Sequence, residues 1–420
     1  MTTLVCLISD QHVPNLLTVK AVRPDKLILL VTDLMAKKKT DVWFLRALTA
    51  GGMDFTGRAE IINIAKENSV EYVTGILKDA CTKHPDDEWI VNVTGGTKPM
   101  SIGSYLFARE NGLRALYIVE SDQYTAIDLL GGDPVTLGGL HVTAAEFLAG
   151  HGYEIRNPRA LERQNQYARD LMDLSAALTA CHEDHDLFTC LQRLQSMKGN
   201  EKGNKTEKEM RKQYDKNGLV LTREDPVFLH DAALRRWIAS TFGLQEEEAN
   251  LIGHLDKKAA EFLTGKWLEY FVLGLLRPLE PVYVRCLYNG LLIGRIDGGG
   301  DNELDVSFMT DRSFCMVECK TGSQGHDHSG DQVVYKTEAI KEGLRALRVR
   351  AFIATTSSNI IDTKTGETKQ ALVDRSRIYG LPIINGKTLK ELAVLYRRKD
   401  PALNDRVVNL FLPKKPVRIS

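Results

Sequence analysis

The segment from Trp89 to Met100, WIVNVTGGTKPM, decides the fold of the first third of the chain. It begins with the run Trp89–Val93, which is apolar except at Asn92, passes through a turn with two glycines, and enters a helical pattern that continues to Asn111. A short strand that is apolar on both faces is typical of a parallel sheet covered by helices on both sides. The segment therefore predicts one strand–turn–helix unit of an α/β sheet.

The same order of strand and helix recurs on both sides of this segment. Further apolar runs, each next to a helical pattern, lie at residues 4–8, 26–31, 60–64 and 115–119. Short buried strands that alternate with helices predict a Rossmann-like domain, which we assign to residues 1–140. Ligands of such sheets bind beyond the carboxyl ends of the strands. Those ends are Ser9-Asp10-Gln11 and Thr94-Gly95-Gly96-Thr97.

Residues 141–255 form a middle region with mostly helical apolar spacing, at 161–194 and again at 228–238. Between these stretches, Lys198–Lys216 has almost no apolar residue, which predicts a mobile, weakly basic loop or linker. The short apolar stretch Leu219–Thr222 is interpreted as a plain hairpin. The wing of a winged-helix element is the alternative.

The last third, residues 256–420, changes from a helix to strands. Strand signals lie at 282–287, 291–296, 303–308 and 314–320, and a helix and another strand at 351–355 follow. This order predicts a separate α+β domain with a mixed sheet. The expected fold class is thus an N-terminal parallel α/β sheet, a helical middle region and a C-terminal α+β domain.

Two strands of the last third, NELDVSF and SFCMVECK, place two carboxylates opposite each other. A hairpin centred between Asp311 and Arg312 aligns Asp305 with Glu318. Cross-strand neighbours lie ~4.5–5.5 Å apart, and two such charges repel by about 3 kcal/mol at an effective dielectric constant of roughly 20. A divalent cation would turn that repulsion into binding. The period of two along a strand adds Lys320 to the same face as Glu318.

Hard oxygen ligands of this kind suit Mg²⁺ or Mn²⁺. Such a metal can activate a water for attack on phosphorus, while a lysine ammonium stabilises the developing charge. Glu269, in the preceding helix, offers a further carboxylate. A surface hairpin with alternating charges is the alternative interpretation.

Asp305, twelve intervening residues and Glu318-Cys319-Lys320, preceded by a helix with Glu269, resemble the D…(D/E)-x-K core of the PD-(D/E)XK restriction-endonuclease-like superfamily. The resemblance covers about residues 256–390. It implies that Asp305 and Glu318 hold the metal together with the backbone carbonyl of Cys319. It also implies that Lys320 is the catalytic lysine and that Glu269 is an auxiliary acid.

The turn Thr94–Lys98 is suited to binding an anion. Paired glycines let the backbone approach a ligand, the threonines supply hydroxyls, and the new helix points its N–H groups outward, with Pro99 early in it. The turn satisfies neither GxxxxGK[ST] nor GxGxxG, which disfavours ATP hydrolysis and NAD binding. A helix cap with a tight turn is the alternative.

The string NxTGGTKxM, with Ser9-Asp10-Gln11 after the first strand, is similar to the CARF (CRISPR-associated Rossmann fold) ligand-sensing domain over about residues 1–140. The resemblance implies a homodimer that binds a cyclic oligoadenylate across its two-fold axis. The residues that it places in the pocket are Ser9, Asp10, Gln11, Asn15, Thr94, Gly95, Gly96, Thr97 and Lys98.

A CARF domain followed by a PD-(D/E)XK domain resembles the cyclic-oligoadenylate-activated nucleases of type III CRISPR antiviral defence. This implies activation by a cyclic oligoadenylate, with cyclic tetraadenylate as the expected ring, and cleavage of single-stranded DNA or RNA or nicking of duplex DNA. A non-catalytic CARF-type transcription regulator and a ring nuclease that degrades the activator are the alternatives. An intact Asp305, Glu318 and Lys320 set argues against the first of these.

Composition limits the remaining possibilities. Lys plus Arg (55) equal Asp plus Glu (55), so any contact with nucleic acid must be local. With 43% hydrophobic and 26% charged residues the chain is globular. Seven scattered cysteines fit reduced thiols, and no apolar run approaches the ~18 residues of a membrane span. We therefore expect a cytoplasmic protein with no membrane contact.

Three weaker patterns complete the sequence analysis. Gln332 and Lys336, on the helix after Lys320, are interpreted as substrate contacts, with solvated helix residues as the alternative. His326-Asp327-His328 lies in a loop that would cover the nuclease site, although an ordinary solvated loop is favoured. The basic tail after Tyr396 is a candidate contact for a nucleic-acid backbone, with a solvated tail as the alternative.

Overall fold

The computed structural model describes residues 1–119, 125–201, 203–310, 313–322, 331–344, 348–362 and 367–412. The His326–His328 loop and the basic tail from residue 413 lie outside these residues, as does the side chain of Gln332. Within the described residues no helix is both long and apolar enough to cross a membrane. All seven cysteines are free thiols.

The N-terminal part is a seven-stranded sheet with helices packed against it. Its strands are Thr2–Leu7 (β1), Lys26–Thr32 (β2), Ala59–Ile64 (β3), Glu88–Asn92 (β4), Arg114–Ile118 (β5), Thr125–Asp128 (β6) and Val135–Thr136 (β7). Its helices are Val13–Val22 (α1), Asp33–Lys37 (α2), Thr40–Ala50 (α3), Val70–Lys83 (α4), Lys98–Glu110 (α5) and Ala144–Gly150 (α6).

The strand order is β3-β2-β1-β4-β5-β6-β7, and the first five strands run parallel to one another. All five strands predicted from the apolar runs are present, and the parallel α/β sheet is confirmed. The antiparallel strands β6 and β7 were missed because they have four and two residues, too few for a readable period. The order places β1 directly beside β4.

The middle region contains both helices and short strands. Its elements are Tyr153–Ile155 (β8), Pro158–Asp170 (α7), Met172–Ala180 (α8), His185–Met197 (α9), Lys205–Asn217 (α10), Leu219–Leu221 (β9), Ala232–Phe242 (α11), Gln245–Glu247 (β10) and Asn250–Leu255 (β11). The predicted helical character is confirmed.

Two predictions for this region are wrong. The polar run expected to be a loop forms α10, which begins with a reciprocal capping box between Asn204 and Glu207 and buries Tyr214. The stretch at 219–222 is neither a hairpin nor a wing. Its strand β9 pairs with the distant β11, and the hairpin of this small sheet is formed by β10 and β11.

The C-terminal part is built on a six-stranded sheet, and the predicted mixed character of this sheet is confirmed. Its elements are Lys257–Glu261 (α12), a π-helical turn at Phe262–Lys266, Trp267–Leu276 (α13), Arg285–Arg295 (β12), Asp301–Met309 (β13), Phe314–Lys320 (β14), Asp331–Gly343 (α14), Val349–Thr355 (β15), Gln370–Tyr379 (α15), Ile383–Ile384 (β16), Gly386–Arg398 (α16) and Ala402–Phe411 (α17). Two strands expected at 282–287 and 291–296 are one continuous strand, β12, with an irregular register near its start.

The three parts of the chain share their cores. The C-terminal sheet has the order β16-β15-β14-β13-β12-β8, so its last strand comes from residues 153–155 of the middle region. Helices α7 and α8 pack on α13 through a common apolar core. Phe147 of α6 stacks on Phe314 of β14, with ring centroids 5.6 Å apart. The N-terminal sheet and the C-terminal sheet are therefore packed together, while domain limits at 140 and 255 stay predictions.

Candidate functional sites

The carboxylate pair of the C-terminal sheet lies in the predicted register. Strands β13 and β14 pair antiparallel with Val306 opposite Val317, which sets Asp305 opposite Glu318. The turn residues 311 and 312 lie outside the described part of the chain. Asp305 Oδ2 accepts a hydrogen bond from the N–H of Cys319 at 2.7 Å. The two carboxylates therefore lie side by side on one face of the hairpin.

Lys320 completes this cluster. Its Nζ lies 2.6 Å from Glu318 Oε1 and 3.9 Å from Asp305 Oδ2. Burial alone would lower the pKa of Lys320, but the charges of Glu318 and Asp305 outweigh burial and raise it. Lys320 is therefore an ammonium at neutral pH and acts as a cation and hydrogen-bond donor, not as a proton acceptor.

The acidic side chains have unequal pKa values. Burial and the charge of Glu318 raise the pKa of Asp305 to about 6. Burial and the charge of Asp305 raise the pKa of Glu269 to about 8. Burial also acts to raise the pKa of Glu318, but the ammonium groups of Lys320 and Lys336 outweigh it and lower that pKa. Ionising all three carboxylates at once is costly, so the site favours an added cation.

The donor atoms fit Mg²⁺ or Mn²⁺. Asp305 and Glu318 supply carboxylate oxygens from neighbouring strands, and the Cys319 carbonyl lies between Glu318 and Lys320 in the chain. Among the described residues, no group of three or more His, Cys, Asp or Glu side chains is arranged to hold a metal ion. Two carboxylates and a backbone carbonyl are hard oxygen donors, and a donor set of this kind suits a hard cation that keeps several of its waters.

Asn289 is a residue of this site that the sequence analysis missed. Its buried Nδ2 donates to Glu269 Oε2 at 3.1 Å and to the backbone carbonyl of Asp305 at 3.0 Å. Its backbone N–H donates to Asn165 Oδ1 of α7 at 3.0 Å. Asn289-Gly290 has the sequence of a hairpin turn, which hid its position inside strand β12. Asn289 fixes Glu269 relative to Asp305.

A cavity of about 400 Å³ lies next to the end of β14. Thr321 and Gly322, which follow Lys320, form one side, and Phe188 of α9 and Trp267 of α13 contribute aromatic surface. Thr356 also lines the cavity, and its N–H donates to the carbonyl of Lys320 at 3.0 Å. The cavity is therefore tied to the strand that carries the lysine.

A second site, the N-terminal cleft, lies at the carboxyl ends of β1 and β4. It is a cavity of about 510 Å³. Its lining residues include eight of the nine predicted pocket residues: Ser9, Asp10, Gln11, Asn15, Thr94, Gly95, Gly96 and Thr97. Lys98, the ninth, is the first residue of α5, is exposed and is absent from the wall. The fold thus brings the two predicted strand ends together.

Buried side-chain hydrogen bonds fix the floor of the N-terminal cleft. Asn15 Nδ2 donates to the carbonyl of Leu7, and Asn92 Nδ2 donates to Asn15 Oδ1 at 2.8 Å. Asn92 Oδ1 in turn accepts from the hydroxyl of Thr94 at 2.7 Å. Thr94 Oγ1 also accepts from the N–H of Ile118 at 3.0 Å. Asn15 and Thr94 are therefore held in place before any ligand binds.

Steric constraints explain why glycine occupies both positions 95 and 96 of the turn. A Cβ on Gly95 would lie 2.3 Å from the carbonyl oxygen of Leu7, a distance that real Cβ atoms do not reach. Gly96 has φ +73°, which favours glycine. Thr97 caps α5 by accepting from the N–H of Met100. The helix-cap interpretation of this turn is thus correct, and the same geometry leaves the backbone open to the cleft.

These two sheets and their sites define a class of protein in which a Rossmann-type ligand-binding domain precedes an endonuclease-like domain. Residues 3–130 match the family model of the Card1 CARF domain, and residues 256–381 match that of the Card1-like endonuclease domain. The two ranges together span more than half of the chain. The chain therefore carries a CARF domain and an endonuclease domain of the Card1 type.

Solved structures share this architecture over almost the whole chain. Can2 from Sulfobacillus thermosulfidooxidans, solved in complex with cyclic tetra-adenylate, is 19% identical with a TM-score of 0.67, covering 97% of this chain and 96% of its own. Protein VC1899 from Vibrio cholerae is 17% identical with a TM-score of 0.69, covering 96% and 98%. At these identities the likeness shows the fold. No curated protein matches the sequence.

Proposed function

We propose that the protein is a metal-dependent endonuclease that is activated by a cyclic oligoadenylate bound in the N-terminal cleft. The observation that carries the proposal is the cluster of Asp305, Glu318 and Lys320 on one face of β13 and β14, within a Card1-like endonuclease domain. Such a cluster suits a phosphodiester substrate. A divalent cation and a fixed ammonium can both stabilise the negative charge that develops on the phosphoryl oxygens during hydrolysis.

In this proposal Asp305, Glu318 and the Cys319 carbonyl would hold Mg²⁺ or Mn²⁺. When bound, the ion would supply Lewis-acid stabilisation of the phosphoryl group and a water of lowered pKa. Lys320, which stays protonated, donates to a phosphate oxygen that becomes more negative during the reaction. Glu269, with its pKa near 8, is protonated at neutral pH and is suited to give a proton to the leaving oxygen.

The proposed substrate is single-stranded DNA or RNA, with nicking of duplex DNA as a related activity. The 400 Å³ cavity beside Lys320 supports a strand with unpaired bases, because it has room for a base and offers Phe188 and Trp267 as aromatic surface. Lys336, whose side chain is 53% exposed, is a candidate contact for the strand's backbone.

The proposed activator is cyclic tetraadenylate. The CARF domain supports a cyclic oligoadenylate, and the complex of Can2 with cyclic tetra-adenylate supports the ring of four. The residues proposed to contact it are the eight cleft residues, with Lys98 next to them in sequence. A homodimer, with one activator across the two-fold axis, and a role in type III CRISPR antiviral defence complete the proposal.

One experiment tests the function. The full-length protein is incubated with Mn²⁺ or Mg²⁺ and with single-stranded RNA, single-stranded DNA or supercoiled plasmid, each with and without cyclic tetraadenylate. Cleavage that requires both metal and activator supports the proposal. Binding of duplex DNA without any cleavage indicates a transcription regulator. Degradation of cyclic tetraadenylate without cleavage of the other substrates indicates a ring nuclease. Either result overturns the proposal.

A further inference from the structure

Arg348 belongs to the C-terminal sheet but lines the N-terminal cleft. It directly precedes β15, and its backbone carbonyl accepts a hydrogen bond from the N–H of Phe314, the first residue of β14, at 2.9 Å. It also forms part of the same cavity wall as Ser9 and Thr94. A cleft built by the first third of the chain is therefore completed by a residue of the endonuclease domain.

The charges of the cleft make this residue important for an anionic ligand. Among its described lining residues, the side chains with a formal charge are the carboxylates of Asp10 and Glu67 and the guanidinium of Arg348. Asp10 is paired with Lys38, whose Nζ lies 2.7 Å from Asp10 Oδ2. A cation at the wall attracts a ligand with several phosphates and offsets the repulsion by the carboxylate of Glu67. Lys98, the cation expected from the sequence, is not part of that wall.

Arg348 is connected to the cluster of Asp305, Glu318 and Lys320 by one pair of strands. β14 begins at Phe314, hydrogen-bonded to Arg348, and continues to Glu318 and Lys320. β14 and β15 are parallel, with Phe314 opposite Val349 and Lys320 opposite Thr355. Arg348 thus lies at one end of a strand pair whose other end carries the catalytic lysine.

We propose that the guanidinium of Arg348 binds phosphate oxygens of the cyclic oligoadenylate, so that the activator contacts the CARF domain and the endonuclease domain of one chain at the same time. The proposal rests on the proposed function and names a residue that this function did not include. Arginine is suited to this contact because its planar donors match two phosphate oxygens. The bound activator then favours the packing of the C-terminal sheet in which Arg348 reaches the cleft.

The test is the affinity of the full-length protein for cyclic tetraadenylate, measured by titration calorimetry. Arg348→Ala should weaken binding by roughly 10- to 100-fold, the usual effect of losing charged hydrogen bonds. Arg348→Lys should keep part of the affinity, and Arg348→Gln, which has no charge, should resemble the alanine variant. Arg350→Ala is the matched control, because Arg350 lies two residues further along, contacts Phe352 and is not part of the cleft wall.

A second measurement separates a charge contact from a structural role. Added salt should weaken activator binding less in Arg348→Gln than in wild type, because one screened attraction is missing. Affinities of Arg348→Ala and Arg348→Gln within about twofold of wild type overturn the inference alone. A wild-type protein that binds no cyclic tetraadenylate overturns the proposed function, and the inference with it.

Discussion

Lys336 Nζ lies 2.9 Å from Glu318 Oε1, the same oxygen that Lys320 Nζ approaches to 2.6 Å. Helix α14 thus places a second ammonium on the carboxylate that the strand's own lysine already contacts. Both ammonium groups lower the pKa of Glu318 and keep it ionised. A metal ion at Glu318 would have to compete with them, so the proposed metal site predicts that Lys336 lowers metal affinity.

Replacing Lys336 by Met should therefore strengthen metal binding. The expected gain is about 1.4- to fivefold, because an ion pair with one exposed partner is worth roughly 0.2–1 kcal/mol. Titration of Mn²⁺ into the full-length protein measures it. Lys341→Met is the control, since Lys341 lies on the same helix but pairs with Glu338. Weaker metal binding in Lys336→Met would contradict the competition.

Removing either proposed metal ligand should abolish cleavage. Asp305→Asn and Glu318→Gln keep the size of the side chain but lose its charge, and cleavage should fall on the order of 100-fold or more. Binding of cyclic tetraadenylate should stay within about twofold, because the carboxylates do not line the N-terminal cleft. Asp301→Asn, at the start of the same strand and paired with Arg156, is the control. Full activity in Glu318→Gln would refute the site.

The raised pKa of Glu269 predicts a dependence of stability on pH in metal-free protein. Its pKa is about 8 in the folded protein, whereas a glutamate in an unfolded chain has a pKa of about 4.3. Between these values the folded state holds a proton that the unfolded state has lost. The free energy of unfolding should therefore fall as pH rises through this range, by several kcal/mol at most.

Urea unfolding with a chelator at about pH 5 and about pH 8 measures this fall. Glu269→Gln, which cannot ionise, should lose most of it. A smaller fall should remain below about pH 6 because burial and Glu318 also raise the pKa of Asp305. Identical pH profiles for wild type and Glu269→Gln would show that Glu269 is ionised in the fold.

Phe314 should be a major contributor to the packing between the two sheets. It is fully buried and stacks on Phe147 of α6. Phe314→Ala should cost roughly 3–5 kcal/mol, because the cavity lies in a core that both domains share. Phe228→Ala is the control, since Phe228 is half exposed and its loss should change stability by less than about 0.5 kcal/mol. Denaturant unfolding compares them, and equal effects would contradict the assigned packing.

Activation should involve one cyclic ligand for each homodimer. A ligand shared across a two-fold axis shifts the orientation of the subunits only through its different affinity for two states. A change from roughly 1:99 to 99:1 requires about 5.5 kcal/mol of differential binding. Calorimetry should give one ligand per two chains, and X-ray scattering should change on binding. One ligand per chain with unchanged scattering would refute this gating.

The sequence by itself determined the N-terminal sheet and the register of the carboxylate pair in the C-terminal sheet. Five mostly apolar runs alternate with helical patterns, and each is a strand of the parallel sheet. The signal is strongest in β1 and β2, where burial on both faces makes most residues apolar. The register of Asp305 and Glu318 also followed from the sequence. The connection between β13 and β14 is short, so the two strands pair as a hairpin. A shift of their register by one residue would move the apolar side chains, such as Val306 and Val317, to the opposite face of the sheet.

Predictions from local sequence were wrong where a short polar motif is compatible with more than one type of secondary structure. Asn289-Gly290 has the sequence of a turn, yet it lies within strand β12, where Asn289 bonds Glu269. The polar run after Lys198 has the composition of a loop, yet a capping box between Asn204 and Glu207 begins helix α10 there. The capping box was a signal in the sequence that could have found this helix.

Only the tertiary structure decided which distant surfaces meet. Residues 153–155 add a strand to a sheet formed more than 130 residues later, and Arg348 reaches a cleft built by residues near Ser9 and Thr94. Hydrophobic periodicity and turn residues indicate the secondary structure of a segment and which of its faces is buried. They do not indicate which distant segment packs against that face. That identity comes from packing among all the buried faces at once, which is why the contact between the N-terminal cleft and Arg348 is visible only in the folded chain.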